Sequence, residues 1–216
     1  MRIVPSDVGS VRGLLELHYA GGAPARVARV LAAEIDGELA GALAVSYPTL
    51  NASWRESAWP GRFGGPDKRE AAHRLNREVR RISRVVVLPR HRGRGIATAL
   101  VRAYLRSALT ARTEAVAAFG STSACFQRAG MRCVARVRSA RDGDLLRVLR
   151  ERGIDPATLV DERVVDRLPR EAGTALVTWA KRARATRRLA RPECLRELGA
   201  LAARSLAARS GVFVSG

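Results

Sequence analysis

The sequence predicts an α/β domain in which helices flank a mixed β-sheet, followed by a C-terminal helical extension. Three observations carry this assignment. Two apolar, β-prone runs meet at Asp36-Gly37, a dipeptide suited to the tight turn of a hairpin. A β-branched run, Val85-Val86-Val87-Leu88, leads straight into a basic glycine-rich turn and then into apolar residues at helical spacing from Ile96, so strand, loop and helix follow one another. Past residue 140 this alternation stops, and leucine stripes such as Leu195, Leu198, Leu201 and Leu206 take over.

In order along the chain, Ser6 or Asp7 is suited to cap a first helix carrying Val11, Leu14 and Leu15, which Gly21-Gly22-Ala23-Pro24 ends. Residues 27–35 and 39–47 are the hairpin strands. Residues 48–76 lack periodicity and are expected to form an irregular, mostly polar insert containing Trp54, Trp59 and Phe63. Either these rings close a satellite core, or they face a substrate, where with Arg55, Arg62, Lys68 and Arg69 they could stack on a base and steady a phosphate. A third strand covers 82–88 and stops at Pro89, which cannot donate to a ladder. The helix after the glycine turn carries Ile96, Leu100, Val101, Tyr104, Leu105 and Leu109. A short strand, 115–119, precedes a short helix that starts near Ser121 to Ser123 and holds Cys125, Phe126 and Ala129. Gly130 is placed to close it in a left-handed C-cap, before a strand at 131–137. Helices are expected over 142–152, 175–189 and 193–209, whereas Val212-Phe213-Val214 is too short to assign. The expected division is an α/β domain, 1–140, and a mainly helical, basic extension, 141–216, whose default role is packing on the domain or on a second subunit of a homodimer.

Charge is the unusual bulk property. In 216 residues, 39 Lys and Arg face 20 Asp and Glu, for a formal net charge of +19, and Lys68 and Lys181 are the only lysines. Such a field attracts nucleic acid and other polyanions and would help to capture a nucleotide-bearing ligand, without choosing between them. An arginine bias alongside many alanines and valines is also what a GC-rich coding sequence produces. Cys125, Cys133 and Cys194 are odd in number and have no metal-site spacing, so a reducing compartment is expected. The N-terminal segment has no apolar run of the signal-peptide kind, and nothing approaches the roughly 18 apolar residues of a membrane span; the expectation is a cytoplasmic protein with no membrane partner.

The residues with the clearest chemistry are Arg90-His91-Arg92-Gly93-Arg94-Gly95-Ile96-Ala97. A short turn at a helix start presents several backbone N–H groups to one anion, arginines add charge, and glycines allow the turn and keep side chains out of the ligand's way. The unit is neither Gly-x-Gly-x-x-Gly nor a Walker loop, because no Gly-Lys-Ser/Thr follows. Its Arg-x-x-Gly-x-Gly spacing resembles the acyl-CoA pyrophosphate loop of the GCN5-related N-acetyltransferases. A second segment, Cys125-Phe126-Gln127-Arg128-Ala129-Gly130-Met131, looks like that superfamily's late helix-to-strand segment, and the resemblance covers about residues 1–138. It implies a sheet whose central strand splays from its neighbour, with acetyl-CoA or a related acyl-CoA in the gap. Val85 and Val87 would then offer main-chain contacts, with Arg90, His91, Arg92, Gly93, Arg94, Gly95, Ile96 and Ala97 around the pyrophosphate. One departure stands out: where many members place a tyrosine that protonates the departing thiolate, this chain has Phe126, which has no proton to give. The adjacent Cys125 is more simply a buried, inert thiol than a substitute.

A narrower resemblance, carried by Leu17-His18-Tyr19, Gly21-Gly22-Ala23-Pro24 and Ile82-Ser83-Arg84, is to the phage Mom-type DNA-modification proteins, which attach a small group to adenine. It implies a nucleobase acceptor, close orientation of a poor nucleophile and, where the base lies in a duplex, its extrusion. Candidate substrate-binding residues are Trp54, Trp59, Arg62, Ser83 and Arg84. His18 and Tyr19 are candidates for base and acid, against the plainer reading of a helix-terminal histidine beside a packed tyrosine. Glu78 stands where members sometimes recruit a carboxylate, although among Arg77, Arg80 and Arg81 it is as simply an ion-pair partner. His73 in the insert is a further candidate. The three histidines lack close ligand spacing, so no metal is expected.

The expected chemistry is direct transfer of an acyl group to an amine, borne by a small molecule, a protein or a nucleobase, with a main-chain N–H stabilising the oxyanion. The alternatives are Mom-like adenine modification, or a nucleic-acid-binding protein whose acyl site has decayed.

Overall fold

Seven strands form one sheet in the order β1-β2-β3-β4-β5-β7-β6, in a computed structural model that describes residues 1–17, 26–118, 124–183, 186–208 and 210–216. The strands are β1 (Arg2–Ser6), β2 (Val27–Ile35), β3 (Glu38–Ser46), β4 (Val79–Val87), β5 (Arg112–Ala117), β6 (Arg132–Val137) and β7 (Ser210–Ser215). The chain divides into two compact units. Among the described residues the first holds 1–17, 26–136 and 211–216, and the second holds 137–208 and 210.

The hairpin forms as expected from Asp36-Gly37: both residues have positive φ, 51° and 82°, which the right-handed twist of paired strands favours in a two-residue turn. β1 is not anticipated by the sequence reading. It pairs antiparallel with β2 from Arg2↔Glu34 to Ser6↔Val30, and as an edge strand it tolerates Pro5, which has no N–H to donate. Ser6 therefore belongs to a strand and caps nothing. Asp7 instead accepts hydrogen bonds from the Ser10 N–H (3.0 Å) and hydroxyl (2.6 Å), holding the turn before helix α1 (Arg12–Glu16), which begins without a side-chain cap.

Residues 48–76 are more regular than their composition suggests. They contain a short helix α2 (Arg55–Ala58) and most of α3 (Lys68–Glu78), whose first turn is capped by the Asp67 carboxylate accepting from the N–H groups of Arg69 (2.8 Å) and Glu70 (3.0 Å). Trp59 and Leu75 bury themselves with Val79 and Val214 in a satellite core, and Trp54 and Phe63 pack at its edge.

The two faces of the sheet are covered differently. Helix α4 (Ile96–Arg106) buries Ile96, Leu100, Val101 and Tyr104 against Leu31, Leu43, Val45, Ile82 and Phe213, roughly 1.5–3 kcal/mol for each large side chain. Gly41 admits this helix: a Cβ there would lie 3.1 Å from both the Ile96 side chain and the Val86 carbonyl. On the other face α1 sets Val11, Leu14 and Leu15 against Val30, Ala44 and Val86. α4 ends at Arg106, short of the expected Leu109, which is exposed. The short helix α5 (Cys125–Arg128) is followed by Gly130 at φ 102°, the left-handed closure its position requires. The proposed starting residues Ser121 to Ser123, and Phe119, lie outside the described residues. β7, unassigned in the sequence, pairs antiparallel with β5 from Thr113↔Ser215 to Ala117↔Gly211 and separates β5 from β6. Residues 211–216 thus belong to the sheet rather than to the extension.

The second unit is helical: α6 (Ala140–Glu151), α7 (Glu162–Asp166), α8 (Arg170–Lys181) and α9 (Leu195–Ala207) enclose Leu145, Leu149, Leu176, Trp179, Leu198 and Leu206. α8 starts and stops earlier than expected for 175–189. The Thr186 hydroxyl donates to the Ala180 carbonyl (2.8 Å) and Arg187 Nε to the Lys181 carbonyl (3.2 Å), covering acceptors that a continuing helix would use. The buried Asp142 ties three helices together, accepting from Trp179 Nε1 (2.7 Å), Ser139 Oγ (2.6 Å) and Ser205 Oγ (3.1 Å). α9 crosses the 3₁₀ turn Pro156–Val160 at Gly199, where a Cβ would stand 2.7 Å from both the Leu159 carbonyl oxygen and Val165 Cγ2. Gly199→Ala is therefore expected to destabilise this unit by about 1–3 kcal/mol despite alanine's better helix propensity, as urea denaturation would measure. Among the described residues no helix is long and apolar enough to cross a membrane.

Candidate functional site

The sheet opens at its centre. β4 and β5 run parallel and pair only from Val79↔Arg112 to Ile82↔Ala115, yet β4 continues to Val87. On its other side β4 stays paired with β3 as far as Gly41↔Val87, and the Leu88 N–H donates to the Ala40 carbonyl (3.0 Å). In an antiparallel strand alternate residues direct both main-chain groups to the same neighbour. Val85 and Val87 accordingly turn theirs away from β3, toward the side on which pairing with β5 has ceased. Arg92 Nε already donates to the Val87 carbonyl at 3.3 Å. Ser83 is the extra residue of a bulge in β4 opposite Ala44/Val45, and its hydroxyl is held by the Ala44 carbonyl (3.1 Å) and Ser46 Oγ (2.7 Å). The bulge bends β4 where the gap begins.

The turn after β4 completes the cleft. Pro89–His91 forms one 3₁₀ turn, Gly93 and Gly95 have φ of 78° and 76°, and Gly95 is the N-cap of α4 without any side chain to cap it. The amides of the first turn of α4 and the positive end of its dipole are thereby left for an external acceptor. No atom lies within 4 Å of where a Cβ would sit on either glycine, so the space in front of the turn is open. Arg90, Arg92 and Arg94 are exposed around it, whereas Ile96 is buried as the helix anchor. Their present partners are weak surface ones: Arg90 meets Glu38 at 3.0 Å, and Arg90 and Arg94 approach the two ring nitrogens of His91 at 3.1 and 3.3 Å. An anion carrying two phosphates fits this donor set, and Ala97 lies within the first helical turn beside it.

A family profile described as the acetyltransferase (GNAT) family matches residues 12–131, which include the open strand, the turn and α4. The chain belongs to this family. Similar solved structures include the IAA acetyltransferase from Bacillus cereus ATCC 14579 (16% identity, TM-score 0.43, covering 64% of this chain and 81% of that one) and smu.2055 from Streptococcus mutans UA159 (16%, 0.41, 65% and 89%). An N-acetyltransferase from Staphylococcus aureus Mu50 is also similar (16%, 0.34, 50% and 63%). Comparison with curated proteins finds no significant match.

Within this GNAT domain the remaining candidates fall into different environments. Glu78, at the end of α3, accepts from Arg62 Nε (2.6 Å) and Arg112 Nη1 (3.1 Å), with Arg77 at 3.8 Å. The hydrogen bond from Arg62, then the charges of Arg62, Arg112 and Arg77, hold its carboxyl below the usual range despite partial burial, which makes it a counter-ion and a weak base. Because the folded state binds this proton less readily, the stability gained at Glu78 is complete above the ordinary value of 4.5 and disappears as pH falls through the lower folded value. Glu78→Gln should therefore flatten the acid limb of the stability–pH curve, measured by thermal melts below pH 5. His73 is exposed on α3. Arg62 is engaged with Glu78, and Arg84 Nη1 donates to the Ser83 carbonyl (2.8 Å). Trp59 is a core residue, edge-on to Phe63 with centroids 5.7 Å apart and donating from Nε1 to the Gly216 carbonyl (3.2 Å); Trp54 lies under the Arg55 guanidinium. Trp59 is thus packed in the satellite core, with Trp54 and Phe63 half-buried at its edge. Phe126 is buried and stacked on Phe213, with centroids 5.0 Å apart. His18, Tyr19 and Gly21-Gly22-Ala23-Pro24, which carry part of the narrower resemblance, lie outside the described residues. Among the described residues no cluster of three or more His, Cys, Asp or Glu side chains could hold a metal ion.

One pair escaped the sequence reading. Glu114 of β5 is fully buried and receives a two-point contact from Arg55 of α2, Nε–Oε2 2.8 Å and Nη2–Oε1 2.9 Å, while Arg55 Nη1 donates to the Leu50 carbonyl (3.0 Å). Glu114 stands opposite Arg81, one step before the last paired position of β4 and β5, so the insert is pinned at the root of the cleft.

Proposed function

We propose that the protein transfers an acyl group, acetyl in the simplest case, from acyl-CoA to an amine by direct attack within a ternary complex. What supports the reading is the conjunction of a β4 edge released beyond Ile82 with a glycine turn and an uncapped helix start immediately after it. Acyl-CoA, when bound, supplies an acyl group already activated as a thioester. The chain's part is to bind and orient. The main chain of Val85 and Val87 pairs with the pantetheine arm in place of the missing strand, the amides after Gly93 and Gly95 with Arg90, Arg92 and Arg94 hold the diphosphate, and a free N–H at the gap steadies the carbonyl oxygen as it gains charge.

For proton movement, Glu78 is held ionised by its arginines and Phe126 has nothing to donate. This reading assigns the base to His18 and the acid to Tyr19. The acceptor carries an amine of a small molecule, a protein or a nucleobase. The test is acyl-CoA-dependent thiol release with a polyamine, a lysine peptide and an adenine-containing oligonucleotide, followed by mass spectrometry of each acceptor. One acceptor should gain the acyl mass, and His18→Ala should remove the acidic limb of the pH–rate profile while acyl-CoA binding persists. A chain that binds no acyl-CoA, or releases thiol without modifying any amine, overturns the proposal.

A further inference from the structure

The helical unit carries a groove of its own. It runs along α8 with an apolar floor of Leu168, Gly173, Val177 and Leu195, and its volume is about 660 Å³, within the range of sites that bury a ligand. Gly173 keeps the floor deep, because a Cβ there would touch Leu195 at 3.5 Å. Arg170 and Lys181 are the first and last residues of α8, which sets them roughly 16 Å apart at about 1.5 Å per residue, and Arg191 also lines the groove. Some cations of the unit are matched, Arg152 with Glu171, Arg182 with Asp144 and Arg196 with Asp166, while Arg150, Arg163, Arg167, Arg188 and Arg204 have no acidic partner among the described residues; what sets the groove apart is that its cations flank an apolar floor. Arg170, Lys181 and Arg191 have no acidic partner among the described residues, and Glu193 is the one acid close beside them in the groove.

We infer that this groove docks a short, acidic, amphipathic helix from a partner protein. The apolar floor separates this surface from a plain polyanion site, since a sugar–phosphate backbone gains nothing from Val177 and Leu195. The cations separate it from a purely apolar contact. Its length matches three helical turns, so apolar residues at i, i+4 and i+7 of the occupant would fill the floor while flanking carboxylates reach Arg170 at one end and Lys181 and Arg191 at the other. The inference is independent of acyl transfer, since every residue it uses lies in the helical unit.

The experiment uses the full chain and a synthetic fluorescent peptide of about 14 residues, with leucines along one helical face in a Glu/Ala background. Two control peptides have the leucines redistributed around the helix, or Lys in place of Glu. Anisotropy should show binding of the first peptide and at least tenfold weaker binding of both controls. Lys181→Glu/Arg191→Glu should weaken the acidic peptide at least tenfold and improve the Lys peptide. Thr178→Trp, at an exposed position that fills the groove, should abolish binding. Both variants alter exposed side chains, so melting temperatures should match the original and a loss of binding cannot be charged to unfolding. Equal affinity for the amphipathic and redistributed peptides, indifference to Thr178→Trp, or no binding at millimolar peptide each overturns the inference. Competition by duplex DNA that the Lys181→Glu/Arg191→Glu variant abolishes, with no leucine-pattern dependence, overturns it in favour of a nucleic-acid surface.

Discussion

Gly95→Val is expected to weaken acyl-CoA binding by about 100-fold or more, equivalent to about 2.8 kcal/mol, while leaving the domain folded. Gly95 occupies the left-handed region at φ 76°, where a β-branched residue is strained by roughly 1–2 kcal/mol, and no atom of the fold lies within 4 Å of the new Cβ. The side chain would instead project into the space the diphosphate needs, and relaxation of φ would turn the first amides of α4 off target. Gly93, at φ 78° with the same open surroundings, should behave similarly. Calorimetric titration with CoA measures the loss directly. The companion measurement is thermal: the variant should melt only a few degrees lower than the original without ligand, but should lose the rise in melting temperature that ligand confers on the original protein. If Gly95→Val binds CoA as tightly as the original, the turn is not the diphosphate site.

Arg55→Met is expected to cost about 3–5 kcal/mol of stability. It strands the Glu114 carboxylate, which is fully buried, without its two-point guanidinium partner. Glu114→Leu should cost a similar amount by leaving Arg55, 4% exposed, without its counter-charge. The double variant is the informative one. With both charges replaced by apolar groups of comparable size, stability should recover well above either single variant, because the penalty lies in the uncompensated charge rather than in the lost attraction. Guanidinium denaturation of the four proteins closes the cycle. Additive losses would mean that packing around Trp54 and Leu50, not the ion pair, is what the substitutions disturb.

The parts of this molecule that are legible in its sequence are those whose physics is local. Asp36-Gly37 specifies its turn, the β-branched run before Pro89 specifies a strand, and Gly93 and Gly95 sit where backbone geometry admits little else. α3 is harder, because Ala71, Ala72 and Leu75 make too thin an apolar face to stand out; the usable signal was Asp67 followed three residues later by Glu70, an N-cap pattern. β1 is obscured by Pro5, which is acceptable only because the strand lies at an edge. β7 is obscured because a strand of six residues earns its place through a partner about a hundred positions earlier. The open cleft itself is a property of register between β4 and β5, which composition does not encode. The Arg55–Glu114 pair is likewise non-local: each residue resembles any other surface charge until the fold brings them together. The same holds for Trp59, whose ring reads equally as core or as contact surface until its neighbours are known.

The position of β7 also constrains the order in which the polypeptide can mature. Because it slots between β5 and β6, and the whole helical unit is threaded between β6 and β7, a nascent chain must emerge to residue 215 before those two strands acquire the neighbour that joins them. During that interval each has an unsatisfied row of main-chain donors and acceptors, the kind of edge that recruits foreign strands. The helices between them close around their own core in the meantime, so ribosomal pausing or premature termination near residue 209 would yield a half-finished sheet attached to a completed bundle, a species for which aggregation competes directly with folding.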